Sequence, residues 1–316
     1  MSSSHNTYWA PGKLLLFGEH SAVFGYPAVG TALNRGLHVS VSPAPRMTLT
    51  LGGEAAAAKS DTEAALHRFG AFLSQRAPHL PPSRVEIVSD LPISSGFGSS
   101  AALCTALAQW SLQVEAPGTG GEPARWEMWR RAHELETFFH GTPSGIDTGL
   151  AALGGVQAFR FGPDRNTELP SATPLPRGVP HLVVGSIPRG RSTRELVEMV
   201  RQRHEEEPVA TGRILADLGS LAKDAIRWLS TTGAPAAALG EMATAAHGHL
   251  SRLGISSKTM DQILHAGSSA GALGGKLSGA GDGGAFYLVC SDSDTAGAVQ
   301  AVISPKLPPG AVTFRV

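Results

Sequence analysis

Apolar and polar positions alternate with changing period along the chain. "KLLLF" (13–17) is a short continuous apolar run after Pro11-Gly12, and it reads as a buried strand. "HVSVS" (38–42) and "RVEIVS" (84–89) alternate with period two, which predicts strands with one buried face. Between them, "TEAALHRFGAFLSQR" (62–76) sets Ala65, Leu66, Phe69 and Leu73 at helical spacing. "SSAALCTALAQWSL" (99–112) carries Leu103, Leu107 and Trp110 at i, i+4, i+7, an amphipathic helix with a wide apolar face.

The same reading predicts helices over 124–140, 193–204, 211–230, 235–252 and 260–270. It predicts strands over 154–161, 181–186, 283–290 and 311–316. Segments 115–123 and 141–147 have Gly/Pro turn chemistry. A polar, Pro-rich connector from Gly162 to Pro180 places a domain boundary between residues 1–179 and 180–316. Strands and helices mix without a strict βαβ rhythm, which favours an α+β fold.

A chain of 316 residues is long enough for two ordinary domains. Basic and acidic residues balance at 26 each, with no basic stripe, which argues against a nucleic-acid partner. The two cysteines, Cys104 and Cys290, both lie in apolar segments and read as core residues. The twelve histidines are scattered, and no Cys/His cluster has zinc spacing. The start lacks the charged and apolar regions of a signal peptide. No apolar run approaches the about 18 residues needed to span a bilayer. The expectation is a soluble cytoplasmic protein without a membrane partner.

Candidate chemistry begins with "DLPISSGFGSSAAL" (90–103), a glycine loop between a predicted strand and a predicted helix. Gly96-Phe97-Gly98-Ser99-Ser100-Ala101 formally fits G-x-G-x-x-G/A. A dinucleotide site, however, needs a strand ending in an acid about 20 residues on, and that point falls in the Gly/Pro loop. A Walker A loop needs Gly-Lys-Ser/Thr, which is absent. The third reading is general: converging backbone N–H groups and the positive end of a helix hold an anion. The bland alternative is a helix whose serines merely cap it.

The loop has company. "GGKLSGAGDGGAFYLV" (274–289) is a second Gly-rich turn running into a buried strand. "APGKLLLFGEH" (10–20) sets Lys13 and Glu19 at opposite ends of one strand, with even spacing that points both to one face. Together "APGKLLLFGEHSAVFGYPAV", "PISSGFGSSAAL" and "KLSGAGDGG" resemble the three motifs of the GHMP kinases, the galacto-, homoserine, mevalonate and phosphomevalonate kinases. "HGTPSGID" (140–147), "IPRGRSTRELV" (187–197) and "LGISSKTMDQI" (253–263) resemble further stretches of the mevalonate-phosphorylating branch, in the right order over nearly the whole chain.

The resemblance implies a two-domain α+β fold. The N-terminal domain would hold a left-handed βαβ unit, the C-terminal domain would be ferredoxin-like, and the active site would lie in the cleft between them. It implies transfer of the γ-phosphoryl group of ATP to the 5-hydroxyl of mevalonate, with phosphomevalonate or another small alcohol as the alternative acceptor. Asp147 would be the catalytic base and Lys13 its cationic neighbour. Ser100 and Glu136 would hold Mg²⁺. Gly96, Phe97, Gly98, Ser99, Ser100 and Ala101 would wrap the phosphates, supported by Gly279, Ala280 and Gly281. Glu19, His20, Arg189, Arg191 and Thr193 would line the acceptor pocket. A homodimer is left open. A non-catalytic metabolite sensor on this scaffold would typically lack the base or the metal ligand, and both are present here.

Each role has a plainer rival. Glu136 shares a helical face with Trp129, Ala132, His133 and Phe139, and a carboxylate buried there needs a partner. The rival is a surface pair with Arg130 or Arg131. Asp147 could simply cap a short helix starting at Thr148. Lys13, Glu19 and His20 could be ordinary strand-end polarity. Two departures from the family pattern stand out. Asp282 interrupts the third glycine motif, where it should point away from phosphates or pair with a cation. "PRGRST" carries one extra residue, so Arg189 and Arg191 compete for one place.

Overall fold

A computed structural model describes residues 6–52, 60–92, 95–118, 121–162 and 168–316. Ile93 and Ser94 of the first glycine loop, and part of the 162–180 connector, lie outside the described residues. The chain divides into two compact units, Met1–Lys13 with Ala32–Gly154, and Leu14–Thr31 with Gly155–Val316. Strands β1 (Asn6–Phe17) and β2 (Ala28–Pro43) each run from one unit into the other.

In the first unit, β3 (Thr48–Leu51) pairs in parallel with β4 (Ser83–Ser89), so α1 (Ser60–Arg76) is their crossover. β4 is antiparallel to β2, from Leu37 opposite Ser89 to Pro43 opposite Ser83. The period-two pattern does its work here. Val85 and Ile87 are buried, whereas Arg84, Glu86 and Val88 are exposed. Leu66, Phe69 and Leu73 of α1 fill the core, and Phe69 packs at 4.7 Å from Phe139 of α3 (Glu122–His140). Truncating Phe69 to alanine would cost about 3–5 kcal/mol. α2 (Ser99–Glu115) is buried on nearly every side through Ala101–Ala108, and its small side chains admit close neighbours. α4 (Ile146–Leu153) completes this unit.

In the second unit, β5 (Val156–Arg160) pairs antiparallel with the start of β2 and with β6 (Ser171–Leu175). A four-stranded antiparallel sheet is built from β7 (Leu182–Ile187), β8 (Gly274–Leu277), β9 (Gly284–Val289) and β10 (Val312–Arg315), in the order β10-β7-β9-β8. Fourth, first, third, second is the strand order of a ferredoxin-like βαββαβ unit. Four helices separate β7 from β8: α5 (Thr193–Glu206), α6 (Pro208–Ser230), α7 (Ala236–Arg252) and α8 (Lys258–Ser269). α9 (Ser293–Ile303) lies between β9 and β10. Ser192 and Glu195 form a capping box that starts α5.

The mixed α+β expectation is met, two local expectations are corrected, and one rival reading falls away. Gly274–Leu277 is a strand rather than part of a turn, because its backbone pairs with β9. β1 begins at Asn6, so Lys13 lies inside the strand. Glu19 lies beyond its end, past Gly18 at φ 108, and the alternation that would have put both side chains on one face stops there. Asp147 is not an N-cap: α4 starts at Ile146, and Gly145 occupies the cap in left-handed geometry.

Candidate active site

In the first unit, the glycine loop makes the turn into α2. Gly96 and Gly98 have φ of 90 and 75, values a side chain rarely adopts. Gly98 is also required by space, since a Cβ there would stand 2.7 Å from Lys13 Cγ. Lys13 is fixed at its backbone, where its N–H donates to Phe97 O at 2.9 Å. Ser99 and Ser100 fall in the first turn of α2, at its positive end.

Lys13 Nζ lies 3.0 Å from Asp147 Oδ2, with the side chains 8% and 35% exposed. The turn that presents Asp147 is held by Trp129, whose Nε1 donates to Gly145 O at 2.9 Å. Trp129 therefore has a positional duty besides filling the core.

Glu136 is 2% exposed. Its surface rival is excluded by the arginines themselves: Arg130 pairs with Glu127 and Glu134, and Arg131 with Glu127 and Glu115. Burial, and then the negative charge of Asp147, push the Glu136 carboxyl up to about 8. Lys13 and the hydroxyls of Thr148 and Ser100 oppose that shift. The Ser100 hydroxyl also meets His140 Nε2 at 3.3 Å. Sequence reading missed Thr148 and His140, although both belong to or flank the "HGTPSGID" segment that was singled out.

A buried carboxylate that resists ionisation, beside a second carboxylate and a hydroxyl, is a setting that a hard cation would relieve. Among the described residues no cluster of three or more His, Cys, Asp or Glu could hold a metal alone. One carboxylate and one hydroxyl still suffice for Mg²⁺, which fills its remaining positions with phosphate and water oxygens. The residues present fit that ion.

In the second unit, Glu19 and His20 turn toward the third glycine motif. Glu19 pairs with the buried Lys276 of β8 and accepts from the backbone N–H of Gly279. His20 Nε2 lies 3.0 Å from Ala280 O. Lys276 also went unnoticed in the sequence, although it opens "KLSGAGDGG", because a lysine in a glycine-rich turn looks solvated. Asp282 pairs with Arg191 at 2.8 Å, the cation partner expected for it. Arg189 Nη1 donates to Thr193 Oγ1 at 3.4 Å. Cys104 and Cys290 are buried free thiols. No helix among the described residues is long and apolar enough to cross a membrane.

Backbone amides gathered at a helix start, beside a cation-seeking carboxylate, are what an enzyme that transfers phosphoryl groups needs. Known proteins agree. A model of the GHMP kinases N terminal domain matches residues 62–155, and one of GHMP kinases C terminal matches residues 234–308. The mevalonate kinase of Pyrococcus abyssi is 32% identical over 310 residues, covering 89% of this chain and 87% of its own. That of Thermococcus onnurineus is 30% identical over 326 residues, covering 95% and 93%. The solved structure of L. major mevalonate kinase in complex with R-mevalonate matches the fold with a TM-score of 0.84 at 23% identity, covering 100% of this chain and 97% of that one. The chain belongs to the GHMP kinase family, and it is a kinase.

Proposed function

We propose that the chain transfers the γ-phosphoryl group of ATP to the 5-hydroxyl of mevalonate. The observation that carries this reading is the Lys13–Asp147 pair at 3.0 Å, set beside the buried Glu136. The names of the full-length relatives supply the acceptor. Asp147 accepts the proton of the acceptor hydroxyl, through the carboxylate oxygen that Lys13 leaves open. Lys13 orients that carboxylate and offsets charge as the phosphoryl group moves. Gly96, Phe97, Gly98, Ser99, Ser100 and Ala101 bind the phosphates through backbone amides. Glu136 and Ser100 would hold Mg²⁺, which neutralises phosphate charge when bound. Glu19, His20, Arg189, Arg191 and Thr193 serve the acceptor side.

A coupled ADP-release assay over mevalonate, phosphomevalonate, homoserine and galactose tests this. Mevalonate should be turned over with the highest kcat/KM. Another acceptor ranking first would replace the substrate, and no turnover with any of the four would remove the reading.

A further inference from the structure

The segment after β1 is tied to the β8–β9 hairpin more firmly than a strand end requires. Lys276 is 0% exposed, and its only salt-bridge partner among the described residues, Glu19, is 3% exposed. Lys276 Nζ also donates to Leu277 O at 2.7 Å, and the rings of Phe17 and Tyr287 stand 5.6 and 5.4 Å away. Around the pair, Ser278 Oγ donates to Leu15 O at 2.8 Å and Tyr287 OH to Leu16 O at 2.9 Å. A pair buried this deeply adds little net stability, because desolvation of two charges offsets their attraction. Its effect is to fix position.

What it positions is the next residue. His20 has φ 58, a left-handed backbone that a non-glycine residue holds only under constraint. Its Nε2 faces Ala280 O at 3.0 Å, and a carbonyl oxygen only accepts, so Nε2 carries the hydrogen. Its Nδ1 is buried without a hydrogen-bond partner among the described residues. A proton there would be an unsatisfied N–H on a buried cation. Burial and the nearby Lys276 charge both hold the imidazole below its ordinary value. Nδ1 is then a bare lone pair. It can accept from a hydroxyl but has nothing to donate to a carboxylate or phosphate.

We propose that Lys276 and Glu19 are positioning residues that seat the turn from Gly18 to His20 on the third glycine loop and hold His20 as the Nε2–H tautomer, with Nδ1 reserved to accept a hydrogen bond from a hydroxyl of the acceptor. The last clause rests on the kinase reading above; the tautomer does not. An acceptor without a hydroxyl at that place would leave the lone pair unsatisfied, and polar pockets discriminate most strongly by such omissions.

The test uses the full chain labelled with ¹⁵N-histidine, with the His20 signals assigned by a His20→Asn variant. In the free protein Nε2 should be protonated and Nδ1 bare. Adding mevalonate without nucleotide should move the Nδ1 signal toward the hydrogen-bonded value. A protonated Nδ1 in the free protein overturns the tautomer, whatever the acceptor proves to be. An Nδ1 signal that stays put at saturating mevalonate, in an enzyme that phosphorylates it, overturns the hydroxyl contact. Lys276→Met alone leaves Glu19 buried and unpaired, so the paired variant Glu19→Gln/Lys276→Met is the informative one. It should melt near the wild type and bind nucleotide unchanged, while the acceptor KM rises by about 10-fold or more and kcat changes less. A wild-type acceptor KM in that variant overturns the positioning role.

Discussion

Lys13 and Asp147 face each other at 3.0 Å, the lysine nearly enclosed and the carboxylate one-third exposed. The backbone of Lys13 is held by its bond to Phe97, and the missing Cβ at Gly98 leaves the room its side chain occupies. The cation reaches the carboxylate from an enclosed position, while the carboxylate is the more exposed partner.

On the proposed mechanism, Asp147→Asn keeps the fold and ATP affinity but loses turnover by about 10²–10⁴-fold, the usual worth of a positioned base. Steady-state kinetics beside nucleotide binding checks this. A kcat near the wild type would end the assignment of Asp147.

Glu136 makes a prediction about pH. Its folded value of about 8 lies above the ordinary 4.5, so the native state binds the extra proton. The associated stability is complete below the unfolded value and is lost as pH rises through about 8. In metal-free buffer, the Tm of the wild type should fall between about pH 6 and about pH 8.5, and that of Glu136→Gln should fall less. The variant should also need more Mg²⁺ for activity. Matching thermal profiles and overlapping metal titrations would assign Glu136 a purely structural place.

Much of this was legible in the sequence, because strong patterns coincide with burial. Leu103, Leu107 and Trp110 are all buried as their spacing required, and Val85 and Ile87 alternate as read. What escaped had weak or contrary local signals. Pro174 argues against a strand, yet among the described residues β6 pairs only with β5 and so tolerates it at the edge. α9 is short, contains Gly297, starts from the cap of Asp292 and buries only Ala296, Val299 and Ile303. Lys276 is the clearest case. No local rule predicts a wholly buried lysine, and its partner is 257 residues away in sequence.

Gly98→Ala tests whether loop and lysine act together. The variant must hold an L-residue at φ +75 and push a methyl group toward Lys13 Cγ, 2.7 Å away. The strain alone is worth about 1–3 kcal/mol. Displacing Lys13 should lower kcat as well, by about 10-fold or more. Gly118→Ala is the control, since it also has positive φ but no atom of the described residues lies within 4 Å of an added Cβ. It should lose some stability and keep its kcat. Equal kinetics for both variants would show that Lys13 does not depend on the loop.

The last prediction concerns the acceptor, and it turns on Arg191. Mevalonate carries one carboxylate, which a single cation or a few hydrogen bonds can satisfy. Its 5-phosphate adds about two negative charges at the reacting end and calls for further dedicated cations. Arg191 is a poor candidate for that duty. Its Nε donates to Asp282 Oδ2 at 2.8 Å, its Nη1 reaches Met199 Sδ at 3.0 Å, and its Nη2 reaches Gly254 O at 3.4 Å. Asp282 holds φ 51 in a motif otherwise rich in glycine, so it bears backbone strain while neutralising the arginine. The 188–192 segment is drawn to the same residue, since Gly190 N donates to Asp282 O at 3.0 Å. The enzyme should therefore prefer mevalonate over its 5-phosphate by about 10-fold or more in kcat/KM. Arg191→Ala should leave that preference in place. Asp282→Gly, which relieves the strain and releases the guanidinium, should narrow it by improving the phosphorylated acceptor. A wild-type preference for the phosphorylated acceptor that collapses on removing Arg189 or Arg191 would reverse the choice of substrate and leave the kinase chemistry of Lys13 and Asp147 untouched.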